Sequence, residues 1–118
     1  GEAAAAHPDH VQSFKTRELA ADKTVGNDVA AQTGHAADHG LRVALEFVPS
    51  GGIFGLAEAW EIVERADASN GGLMIDSCHF HTSQSSPDLL ARIPGDRIFS
   101  VQLADAPADA DAQMVNRM

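Results

Sequence analysis

The stretch Leu41–Gly52, LRVALEFVPSGG, decides the fold. Its first eight residues alternate, with Leu41, Val43, Leu45 and Phe47 on one face and Arg42, Ala44, Glu46 and Val48 on the other. One face is wholly apolar and the other small or polar except at its end, which reads as a strand. Pro49-Ser50-Gly51-Gly52 breaks it. Downstream, Leu56, Ala59, Trp60 and Val63 recur at helical spacing, while Glu58, Glu61, Glu64 and Arg65 occupy the wet side. That pattern predicts an amphipathic helix ending near Asp67.

The same unit recurs along the chain. Asn70-Gly71-Gly72 turns into LMIDSCH (73–79), a short strand with a polar end. Ser86 as a cap and Pro87 at the first helical position open a short helix, packed through Leu89, Leu90 and Ile93 and closed by Pro94-Gly95. RIFSVQLAD (97–105) reads as a third strand, with Phe99, Val101 and Leu103 outward and Ser100, Gln102 and Ala104 opposite. Upstream, a helix is predicted over 27–39, with Val29, Thr33, Ala36 and Ala37 on one side. Asn27 or Asp28 caps it, and Gly40 stops it. Weaker helical character runs from Phe14 through KTRELAADK (15–23), residues 1–12 read as a tail, and 13–118 read as one domain. Strands alternating with helices predict an α/β protein with a parallel sheet and right-handed crossovers.

Composition narrows the function. The 118 residues carry 8 Lys plus Arg against 17 Asp plus Glu, a formal charge of -9. Such a balance argues against nucleic acid, whose backbone calls for a basic patch, and against an anionic membrane surface. The chain has neither a basic leader with an apolar run nor a long apolar span, so the expected location is the cytoplasm. A single cysteine, Cys78, precludes an internal disulfide and reads as a small buried filler.

Glu46, Asp76 and Gln102 each fall near the C-terminal end of a predicted strand, on the side opposite that strand's bulky residues. Intervals of 30 and 26 residues separate them, about one strand-plus-helix unit each. Neighbouring parallel strands bring such groups to one end, where barrels collect their reactive side chains. Two carboxylates and an amide oxygen are hard donors, suited to Mg²⁺ or Mn²⁺ and acceptable to Zn²⁺ or Co²⁺. His79, three residues past Asp76 in the expected loop, is a candidate neighbour of a metal ligand, a substrate contact or an acid/base group. Asp105, just beyond the third strand, is a candidate substrate contact.

Plainer readings stand beside these. A strand-end Asp or Glu is commonly a cap, an inward Gln commonly satisfies a buried backbone group, and His79 and His81 equally suit a solvated loop. His35 and His39 have the i,i+4 spacing of a metal pair, but they read as a solvated helix terminus where His suits the dipole. The Ser50–Gly52 segment lacks the Lys of a phosphate-binding loop and reads as a flexible loop over the site.

LRVALEFVPSGG, NGGLMIDSCHFH and GDRIFSVQLADAP together resemble the middle of the xylose-isomerase-like barrel superfamily. Its members include sugar phosphate isomerases and epimerases, inosose dehydratases and 3-dehydroshikimate dehydratases. The resemblance covers residues 40–107 and implies a (β/α)₈ TIM barrel, present here as a partial barrel of about strands 4 to 6 with flanking helices. It implies a divalent metal at the C-terminal mouth, held by Glu46 and Asp76, with His79 from the family's D-x-x-H pattern. Glu46 matches a ligand that in epimerases also moves a proton. Gln102 stands where many epimerases have a ligating histidine, and it resembles the dehydroshikimate dehydratase branch. The family's fourth ligand, a glutamate on the eighth strand, matches no position in this chain.

A complete barrel of this type takes about 250 residues, so the chain reads as part of a longer protein. Alone it leaves two strand edges unpaired and apolar lining uncovered, which predicts association with another copy or chain. For the intact parent the expected chemistry is proton abstraction next to the carbonyl of a small polyhydroxylated substrate, with Glu46 moving the proton and His79 assisting. Isomerisation or epimerisation is the first expectation and dehydration the second. An apurinic-site endonuclease shares the architecture but suits a basic, histidine-rich chain better. A catalytically incomplete piece with a structural or binding role is the third expectation.

Overall fold

The alternation at Val43, Leu45 and Phe47 forms the middle of a four-stranded parallel sheet in the order β1-β2-β3-β4. The computed structural model describes the backbone of residues 11–15 and 23–27, and residues 28–111 with their side chains. Along the chain run β1 (Val11–Lys15), α1 (Lys23–Ala37), β2 (Arg42–Glu46), α2 (Leu56–Ala66) and β3 (Gly71–Asp76). Then come α3 (Ser77–Thr82), α4 (Pro87–Arg92), a 3-10 turn at Gly95–Arg97 and β4 (Ile98–Gln102). This is a partial (β/α) barrel, with one strand more than the three expected. That strand, β1, corrects the helical reading at Phe14: Phe14 and Lys15 pair with Leu45 and Glu46, and Val11 and Gln12 of the expected tail also belong to it. Residues 1–10 and 16–22, the rest of the expected tail and weak helix, lie outside the described residues.

One face of the sheet packs against the helices. Leu45, Phe47, Leu73 and Ile75 join Val29 of α1, then Leu56, Ala59, Ile62 and Val63 of α2, and Ile93 after α4, in one buried cluster. Each large side chain so buried contributes about 1.5–3 kcal/mol. Trp60 packs on the edge of this cluster, as core rather than ligand. In α1, Val29, Thr33 and Ala36 are buried as expected, but Ala37 is exposed because the helix ends there. Gly40 adopts a left-handed φ of 69°, which fits its role as the stop.

Polar ties fix how the units stack. The Asn70 side-chain amide donates to Thr33 O (2.7 Å) and Leu41 O (3.1 Å), joining the turn before β3 to α1 and to the start of β2. Arg97 Nη1 donates to Ala68 O (2.6 Å) and Gly71 O (2.7 Å) and anchors β4 at the same end. Leu56 N, at the start of α2, donates to Ser85 Oγ (3.1 Å), so a distant serine does the capping that Gly55 has no side chain for. Ser86 accepts from Leu89 N with Pro87 next in line, as the sequence pattern predicts.

A bulge interrupts the β3–β4 pairing. Leu73 faces Ile98, but Met74 faces Ser100, so Phe99 is the extra residue. Its ring therefore swings to the face away from the helices, over Gly72 and 4.4 Å from the Arg42 guanidinium carbon. This corrects the expected outward direction of Phe99. Val101 pairs with Ile75 on the helix side yet is 62% exposed, and Leu103 is 86% exposed.

Candidate active site

The register places the candidate residues on one face. Glu46 pairs with Met74, Asp76 lies two residues further along β3, and Asp76 pairs with Gln102. Paired residues of neighbouring parallel strands point to the same side, so Glu46, Asp76 and Gln102 share the face away from the helices. Backbones of adjacent strands lie about 4.8 Å apart, which sets the Asp76–Gln102 spacing, and two steps along a strand place Glu46 about 8 Å from Asp76. Both carboxylates are buried, Glu46 at 2% and Asp76 at 6% exposure, whereas Gln102 on the edge strand is exposed.

Asp76 has a second job. Its Oδ1 accepts from Cys78 N (2.8 Å) and His79 N (3.2 Å), capping α3. The plain reading of a strand-end aspartate is thus realised by one oxygen, while Oδ2 takes no part in the cap. Residues 77–82 are the short helix α3 where a loop was expected, so His79 is held on a helix directly beyond β3. It is half-buried, and its Nδ1 is buried with no hydrogen-bond partner among the described residues. Cys78 is half-buried on the same helix and remains a free thiol.

Asp105 is exposed and accepts from Ala106 N with Oδ1 (2.9 Å). It lines a cleft of about 200 Å³ with Ser77, Cys78, His81 and Ala106, at the same end of the sheet. Sequence reasoning did not single out Ser77, which ties α3 to Ala104; only its place directly after a strand-end aspartate marks it. His35 and His39 stack edge-to-face at 5.1 Å between centroids and are exposed.

In kind, the donor set fits a hard divalent cation: two buried carboxylates and an amide oxygen on one face. In number it is incomplete, since among the described residues no three His, Cys, Asp or Glu side chains form a metal-binding group. Among those residues, too, no helix is long and apolar enough to cross a membrane.

Known proteins resemble this chain in sequence and in fold. The 3-dehydroshikimate dehydratase of Pseudomonas aeruginosa is 39% identical over 84 residues, covering 70% of this chain and 13% of that protein. The inosose isomerase of Bacillus subtilis is 35% identical over 81 residues, covering 66% of this chain and 29% of that protein. The chain thus spans less than a third of the length of these relatives. Among solved structures, the IOLI protein with a bound zinc atom superposes with a TM-score of 0.79 at 25% identity, covering 87% of this chain and 40% of that one. A xylose isomerase-like TIM barrel/4-hydroxyphenylpyruvate dioxygenase fusion protein gives a TM-score of 0.78 at 29% identity, over 88% of this chain and 18% of that one. Residues 1–118 match the family described as xylose isomerase-like TIM barrel. The chain belongs to the xylose isomerase-like TIM barrel family.

Proposed function

We propose that the chain supplies the middle strands of a divalent-metal-dependent isomerase or epimerase, acting by proton abstraction next to the carbonyl of a small polyhydroxylated substrate. The observation that carries this reading is the shared face of Glu46, Asp76 and Gln102 at three adjacent strand ends, with both carboxylates buried. Glu46, Asp76 and Gln102 would hold the cation, any of Mn²⁺, Mg²⁺, Zn²⁺ or Co²⁺. When bound, it stabilises negative charge developing on the carbonyl oxygen.

Glu46 takes the proton from the carbon beside the carbonyl, and the burial of its carboxylate, which limits competition from water, supports this role. Returning that proton to the other face or to the neighbouring carbon gives epimerisation or isomerisation. His79, whose buried Nδ1 has no hydrogen-bond partner among the described residues, orients a substrate hydroxyl or relays the proton. Asp105, on the cleft beside α3, contacts a more distant hydroxyl.

A second reading is dehydration, in which the electron pair of the broken C–H bond forms a C=C bond while the β-hydroxyl departs with the C–O pair and, taking up a proton, leaves as water. The glutamine at position 102 and the likeness to 3-dehydroshikimate dehydratases favour it. Exposed Val101 and Leu103 support association with another copy or chain along β4. The cytoplasm remains the proposed location.

Incubation with keto sugars, inososes and dehydroshikimate in deuterated water with each metal tests the reaction class. Deuterium entering the carbon beside the carbonyl supports proton abstraction, and the product separates isomerisation from dehydration. No exchange with any substrate class under any metal overturns it.

A further inference from the structure

The β3–β4 ladder stops at Asp76 and Gln102, because Ser77 begins α3 and the backbone turns away. A side chain makes the next rung. Ser77 Oγ donates to Ala104 O at 2.8 Å and accepts from Ala104 N at 2.8 Å, so one hydroxyl meets both backbone groups of a residue 27 positions away. His81 adds a second tie from α3, with Nε2 2.9 Å from Ala108 O. The cleft of about 200 Å³ lies between these ties. Residues 103–107 form no helix or strand, and only Ala106 among them is even half-buried, so the apolar core does not fix them.

We propose that Ser77 is a positioning residue for the mouth. Through Ala104 it holds the chain after β4 against the β3–α3 junction, setting Gln102 and Asp105 relative to Asp76. Without the hydroxyl, the edge strand keeps its rungs up to Gln102 but loses the fixed point just beyond it. The consequence for metal binding rests on the proposed function; the tie itself does not.

The test uses the full chain with Ser77→Ala and Ser77→Thr. Amide exchange at Ala104 is expected to accelerate about tenfold in Ser77→Ala, as for loss of one hydrogen bond. The Gln102 side-chain amide resonances are expected to shift, and Mn²⁺ affinity to fall severalfold. Ser77→Thr, which keeps the hydroxyl, restores all three. Unchanged Ala104 exchange in Ser77→Ala overturns the tie. Faster exchange with unmoved Gln102 resonances overturns the positioning role. A wild-type chain that binds no Mn²⁺ overturns the proposed function alone, since the Ala104 and Gln102 signals still decide this inference.

Discussion

Asp76 faces Gln102 directly across the β3–β4 pairing, and the same aspartate caps the helix that follows. One residue therefore joins a structural task, through Oδ1, to a place at the mouth of the barrel. Substitutions that separate charge from capping distinguish the two. Asp76→Ala removes both and is expected to lower stability by about 1 kcal/mol, the usual cost of a lost cap. Asp76→Asn keeps a good capping oxygen and should cost less, yet weaken metal binding as much. Thermal unfolding and metal titration of both variants check this; equal stability losses would contradict the cap.

Gly72 is closed to any side chain. A Cβ there would lie 2.5 Å from Arg97 O and 2.8 Å from two atoms of the Phe99 ring. A side-chain ring can turn aside, but the Arg97 carbonyl belongs to the backbone that leads into β4. Gly72→Ala is therefore expected to destabilise by about 1–3 kcal/mol, as overpacking does. Urea denaturation measures it, and a neutral result would contradict the described bulge.

Asn70 ties α1 and β2 to the turn before β3 through two donated hydrogen bonds. Asn70→Ala leaves two backbone carbonyls without that donor and is expected to cost about 1–3 kcal/mol. Asn70→Asp should cost more, because a carboxylate offers no donor and repels both carbonyl oxygens. Denaturation midpoints of the two variants test the order, and Asp matching wild type would contradict it.

Arg42 and Phe99 stack at 4.4 Å on the face away from the helices. Phe99→Leu keeps apolar bulk but loses the ring, and is expected to cost about 0.5–2 kcal/mol beyond any packing loss. A double-mutant cycle with Arg42→Met isolates the coupling; zero coupling would contradict the stack.

Much of this fold can be read from residue patterns, and the reasons for the rest are local. β2 and α2 are legible because Val43, Leu45 and Phe47 alternate while Leu56, Ala59 and Val63 follow helical spacing, and all six are buried. The Ser86-Pro87 start is legible because capping chemistry is local. β1 is not, since VQSFK offers only two apolar residues and its strand state depends on pairing with β2. α3 is not, because SCHFHT is too short and polar to show a period, and its start depends on the Asp76 cap. Phe99 inverts because counting alternate residues assumes an unbroken ladder, which the bulge interrupts. For the candidate site, parity alone placed Glu46, Asp76 and Gln102 on one face, whereas the Ser77 tie needed three-dimensional contact between residues far apart in sequence.

If Glu46, Asp76 and Gln102 act together on one cation, Mn²⁺ titration of the full chain reveals it. One site per chain is predicted, weakened about 10- to 100-fold or more in Glu46→Gln and Asp76→Asn and less in Gln102→Ala. No binding by the wild-type chain, or wild-type affinity in Glu46→Gln and Asp76→Asn, would contradict a shared cation site.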